Sequence, residues 1–211
     1  AHLRFFMRGI FVGFVMTVLM FLNGCAGIGV VQTDDPLTKL NQAAALSTQQ
    51  DRPLIAERLI FEAIDLYQQR GDSHGLGLAN RAYADLLRSP AVTGKWAAYY
   101  QKNGFYDKVT TFDRRIEKSS EYYTKALGHF SNAEPKLKDE KRFDALTNLY
   151  FNMAFTNTML NQKNEACSLY ERTNAAYLEN IRLNPSAQPI GNSSGSVPEL
   201  IQMKKKEVGC H

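Results

Sequence analysis

The 211-residue chain has few of the residues on which catalytic and metal sites are commonly built: four histidines, three cysteines and one tryptophan. The histidines beyond the N-terminal segment, His74, His129 and His211, stand far apart, and none falls in a metal-ligand spacing. Cys210 and His211 are adjacent but terminal, where a nucleophile and its base would be poorly held. No Gly-rich phosphate loop, serine-hydrolase elbow or zincin signature occurs. These gaps imply neither metal nor cofactor. Charge of one sign is also lacking, since 25 basic residues face 21 acidic ones. Arg4 and Arg8 sit in the first 24 residues with no acid, so the rest of the chain has an excess of only two basic residues. Such a balance sets up no field that would gather a phosphate backbone, which argues against nucleic acid as a partner. Disorder is excluded by a composition 44% hydrophobic and 22% charged. Strand-like alternation is missing throughout, which leaves an all-α fold.

What is present begins at the N-terminus. Arg4 and Arg8 form a positive region, Gly9 to Leu22 is an uncharged apolar run of signal-peptide length, and Gly24 supplies a small residue at a cleavage point. Met7 is a candidate start. The run Leu22-Asn23-Gly24-Cys25 resembles the lipobox of bacterial lipoproteins. The resemblance implies that residues 1–24 are removed, that the thiol of Cys25 carries diacylglycerol, and that residues 25–34 tether a domain to the membrane. Apolar character resumes through Ile28, Val30 and Val31, so an uncleaved anchor from Gly9 to Val31 is the rival reading. Lipidation of Cys25 leaves Cys167 and Cys210 as an even pair. A disulfide between them is one reading; a buried Cys167 and a free Cys210 on the tail is the other.

From residue 35 helices follow one another. Asp35-Pro36 reads as an N-cap with proline in the first turn, opening a helix to about Gln50 with Leu37, Leu40, Ala43 and Leu46 on one face. Asp51 and Pro53 open a second, carrying Ile55, Leu59, Ile60, Ala63 and Tyr67 until Gly71. Asp72 or Ser73 caps a third that ends before Pro90. Ser89 to Thr110 reads as an aromatic insertion. Helical spacing returns from Phe112 to Phe130, breaks around Asn132 to Pro135, and resumes from Phe143 to Leu160. The turn at Asn161 to Asn164 leads into a last main helix with Ala166, Leu169, Tyr170 and Tyr177. Residues 185–211 read as a Pro- and Gly-rich loop followed by a short helix capped by Ser196 and Glu199.

Asn152-Met153-Ala154, Asn161, Glu165-Ala166 and Tyr170 resemble a tetratricopeptide repeat, with echoes at Ala63 and Tyr67 and at Ser119, Tyr123 and Ala126. Small residues there let paired helices approach, and the aromatic fills the groove between hairpins. The resemblance implies that residues 35–184 stack antiparallel hairpins into a right-handed array. It also implies a concave groove lined by the first helix of each hairpin, with Asn80, Tyr83, Asn148, Asn152 and Asn157 as its candidate contact residues.

Two further groups compete for function. Trp96, Tyr99, Tyr100, Phe105 and Tyr106, beside Lys95, Lys102 and Lys108, have the makeup of contact hot spots, and equally that of a cap over an open helical stack. Asp113, Glu117 and Glu121 lie at four-residue steps with Arg114, Arg115 and Lys118 between them, which reads as a solvated charged face before it reads as an acid/base pair. Together these features lead to the expectation of a non-enzymatic lipoprotein facing the periplasm from the outer membrane. It would bind another protein, as a scaffold or pilot of an envelope assembly. An immunity lipoprotein that neutralises a secreted toxin is the alternative, and a glycan-acting enzyme the third.

Overall fold

Asp35 explains where the first helix begins: its carboxylate accepts a bond from the Thr38 backbone N–H at 2.8 Å while Pro36 pre-sets the first turn. The computed structural model describes residues 30–185 and 196–210. The apolar run and Cys25 lie outside the described residues, as do the first half of the tether and the loop at 186–195. From Asp35 onward the chain forms one compact unit. Its helices are α1 (Pro36–Thr48), α2 (Pro53–Gln69), α3 (Ser73–Arg88), α4 (Pro90–Thr93), α5 (Ala97–Asn103), α6 (Arg115–Asp139), α7 (Phe143–Met159), α8 (Lys163–Leu183) and α9 (Val197–Val208). No strand occurs among the described residues, and none of their helices is long and apolar enough to cross a membrane. The protein is all-helical.

Successive long helices pair. α1 packs on α2, α3 on α6 and α7 on α8, with α2 against α3 and α6 against α7 joining the pairs in series. α3 and α6 run antiparallel: Gly77 faces Phe130, and seven residues later the Ala84 carbonyl accepts a bond from Ser119 at 2.9 Å. Two glycines allow this closeness. A Cβ on Gly77 would lie 2.4 Å from the Phe130 ring, and one on Gly75 would lie 2.0 Å from the Tyr67 ring of α2. Each ring therefore rests directly on the backbone of α3.

The expected break at Asn132 to Pro135 does not occur, because α6 continues through Pro135 to Asp139. A proline inside a helix removes one ladder bond and costs about 3 kcal/mol. Tertiary ties offset that loss here. Glu134, beside the proline, accepts bonds from Tyr150 of α7 at 3.1 Å and from Arg172 of α8, and pairs with Lys138 at 2.6 Å. The neighbouring Ala133 is buried.

The α7–α8 turn is tight. Asn161 adopts a left-handed conformation (φ 59°), and the Gln162 N–H closes the helix end on the Asn157 carbonyl at 2.9 Å. Ala154, Ala166 and Tyr170 of this hairpin are fully buried in a core shared with Phe130, Leu146, Leu149 and Ile201. Ile201 belongs to α9, whose Ser196–Glu199 capping box sets its start and which packs along α8. Cys167 of α8 and Cys210 after α9 are joined by a disulfide across 43 residues, with their Cα atoms 5.6 Å apart. The reading with two free thiols is thereby set aside.

Candidate functional site

α1, α3 and α7 are the first members of the three hairpins, and α3 touches both of the others. Between them lies an open groove of about 290 Å³. Its α1 wall mixes apolar Leu37, Leu40 and Ala44 with polar Asn41, Ser47 and Thr48, whereas Leu78, Ala82 and Leu86 of α3 form an apolar floor. The hydroxyls of Ser47 and Thr48 are turned back onto the Ala44 carbonyl at 3.1 and 2.8 Å, so they stay within their own helix.

One polar node interrupts this surface. Arg81 of α3 pairs with Asp85 one turn on at 3.3 Å, donates to the Asn152 side-chain oxygen of α7, and stacks its guanidinium 4.6 Å from the Phe155 ring centre. Asp85 also accepts the Tyr123 hydroxyl from α6. Burial pushes the Tyr123 hydroxyl above its ordinary titration range, so it remains a donor. The cation and the anion thus neutralise each other within the groove. Asn152 also donates its amide to the Asn148 carbonyl at 2.7 Å.

The expected groove residues divide. Asn152 lines the groove and Asn148 is exposed one turn away on α7. Asn80, Tyr83 and Asn157 are buried, which corrects their assignment as contact residues. The amides of Asn80 and Asn157 bond the carbonyls four residues back, Leu76 and Met153, each at 2.8 Å. Tyr83 points the other way, toward α2.

The aromatic insertion divides in the same manner. Tyr100 and Phe105 are buried and stack on each other with centroids 4.4 Å apart, so neither is available to a partner. Trp96 donates its indole N–H to the Asp51 carbonyl at 2.9 Å and is half-buried. Only Tyr99 and Tyr106 present large exposed faces, at 43% and 48% exposure. The segment acts mainly as a cap.

What the cap covers was not singled out from the sequence. Glu57 lies on the buried face of α2, only 3% exposed. Its carboxylate accepts bonds from the Tyr106 backbone N–H at 2.7 Å, the Tyr83 hydroxyl at 3.1 Å and the Tyr100 hydroxyl at 3.3 Å. Burial outweighs these donors and pushes the Glu57 carboxyl up to about 7. The same burial holds the Tyr83 and Tyr100 hydroxyls far above their ordinary range, and they stay protonated. Next to this group, Asp107 accepts from Thr110 through both its N–H (2.8 Å) and its hydroxyl (2.6 Å), and from Tyr122 of α6 at 3.1 Å, folding residues 107–110 into a side-chain-closed turn.

The charged face on α6 is a set of surface ion pairs. Glu117 pairs with Arg114 at 2.6 Å and Glu121 with Lys118 at 2.7 Å, while Asp113 precedes the helix. The Arg114 guanidinium holds the Glu117 carboxyl below its usual range, the opposite of the raised value a general acid requires.

No family model matches this chain, and neither a curated protein nor a solved structure matches it.

Proposed function

We propose that this chain is a bacterial envelope lipoprotein, anchored through lipidated Cys25 in the outer membrane and facing the periplasm, that binds a partner protein as a scaffold or pilot of an envelope assembly. In this reading its hairpins stack as a right-handed, tetratricopeptide-repeat-like array, and the partner lies along α1, α3 and α7. The observation that carries the reading is the open groove between the first helices of the hairpins, lined mainly by α1 and α3 and reached from α7 by Asn152. Its internal neutralisation favours a partner segment with small, uncharged side chains, since a charged one would have to break the Arg81–Asp85 pair to find a counterion. The Cys167–Cys210 bond supports an oxidising compartment such as the periplasm.

Ala44 is exposed on the groove wall, so Ala44→Arg fills the groove without entering the core. Cross-linking in intact cells followed by affinity capture is expected to recover a defined partner with the wild type and to lose it with Ala44→Arg. Tyr99→Ala with Tyr106→Ala, outside the groove, is expected to retain it. Retention by Ala44→Arg and loss by the aromatic variant would move the contact site to the insertion. In the same cells Cys25→Ser is expected to abolish labelling with palmitate, and equal labelling would remove the basis for the anchor.

A further inference from the structure

We infer that Glu57 is a pH-responsive latch for residues 89–114: the neutral carboxyl holds the segment closed over α2 and α3, and ionisation loosens it. The arrangement has three features that a latch requires. Two of the donors to Glu57, the Tyr100 hydroxyl and the Tyr106 N–H, come from the segment itself, and the third, Tyr83, comes from the helix beneath it. The group is therefore the polar joint between the segment and the array.

Among the described residues no cation bonds to Glu57; Lys125 of α6 lies beyond it, over the Tyr122 ring at 4.5 Å. The groups that face Glu57 are Tyr83 from α3, Tyr100 from α5, Asp107 from the following loop, and Tyr122 of α6, which is bonded to Asp107. On α2 itself, Arg58 is exposed and pairs with Glu62 at 3.5 Å. An ionised Glu57 is thus a buried charge held by hydrogen bonds alone, with a second carboxylate, Asp107, opposing it. Protonation removes that charge, and each tyrosine hydroxyl can accept as readily as it donates, so the network survives the change.

The third feature is what the segment covers. Opening would bring to solvent Tyr100, Phe105 and the Phe61 ring on which Tyr106 rests at 5.0 Å. The carboxyl titrates near 7, within the range a compartment open to the surroundings experiences. Glu57 is not part of the groove lining, so the latch stands whether or not the groove binds a partner.

Trp96, the sole tryptophan, lies in the segment and reports on it. Acrylamide quenching of the full chain in detergent, from pH 5 to 8.5, is expected to rise along a one-proton curve with its midpoint near 7. Glu57→Gln is expected to be flat. Tyr100→Phe, which removes a donor to the ionised form, is expected to move the midpoint upward, a shift that a merely structural role for Tyr100 would not produce. His74 and His129 titrate with neutral forms favoured by burial and are the rival groups. A flat wild-type profile, or a midpoint retained in Glu57→Gln, overturns the latch. So does an unmoved midpoint in Tyr100→Phe, which serves as the deciding result where Glu57→Gln does not fold.

Discussion

The two ends of the helical array fill their interiors with different chemistry. Around α2, α3 and the insertion the core is built from tyrosines on a buried carboxylate, with Tyr83 edge-on to Phe61 at 4.9 Å and to Tyr122 at 4.6 Å. Around α7, α8 and α9 it is mainly alanine and leucine with Phe130, Met153 and Ile201, its buried tyrosines Tyr150 and Tyr170 gather on no buried carboxylate, and a disulfide closes it. The first arrangement can be altered by a proton and the second by two electrons. A protein of one fold class therefore carries two stability controls in separate places, each readable without disturbing the other.

The largest effect should come from breaking the covalent end. Closing a loop across 43 residues restricts the unfolded chain by about 4 kcal/mol in the chain-entropy description. Cys210→Ser should lower the melting temperature by roughly 8 to 16 degrees or detach α9 at low temperature, read by calorimetry and by alkylation of Cys167. A melting curve unchanged by the substitution would mean that α9 is held by packing of Ile201 and the Lys205–Glu171 pair alone.

Next is the proton-controlled end. The folded state holds the Glu57 proton more tightly than the unfolded chain does, 7 against 4.5, so the contribution to stability is fully present below about pH 4.5 and lost as the pH rises through 7. The difference is on the order of 3 kcal/mol. Burial of His74 acts with the opposite sign, since its neutral form is favoured and stability falls as the pH drops through the ordinary histidine range. Subtracting the Glu57→Gln stability profile from that of the wild type isolates the carboxyl, and the difference should decline between pH 4.5 and 7 and then level. A difference that rises with pH would reverse the assignment.

Smaller still is the effect of overpacking the apolar end. Ala166 is wholly buried between α7 and α8, and extra methylenes at such a site typically cost about 1 to 3 kcal/mol. Ala166→Leu should lower stability by the same amount at pH 5 and pH 8. A pH-dependent loss would show that the two ends are coupled.

Much of the fold was legible because its signals are local. Asp35-Pro36, Asp72 and the Ser196–Glu199 box each bond within three residues, and each starts a helix where the sequence pattern places it. Pro135 misled for the complementary reason: its local rule is overridden by Tyr150 and Arg172, which lie 16 and 38 residues from Glu134. Exposure was the least legible property. Tyr83, Tyr99, Tyr100 and Tyr106 share one chemistry, yet two are core and two are surface, and the hydroxyls of the two core residues are the ones that bond Glu57. That carboxylate sits among the apolar residues of α2, and its donors come from 26 to 49 residues away. A lone acid on an apolar face was the available clue. Arg81 and Asp85 were visible as a four-residue pair, but the groove requires α1 and α7 to be brought beside α3.

Hydrogen exchange of the full chain, corrected for the intrinsic pH dependence of exchange and followed by mass spectrometry at pH 5.5 and pH 8 with and without reductant, tests the comparison most directly. Raising the pH should lower protection in peptides spanning 96–110 and leave those in α8 and α9 unchanged. Reductant at pH 5.5 should do the reverse, lowering protection in α9 alone. Equal loss in both regions under either treatment would contradict the separation of the two controls.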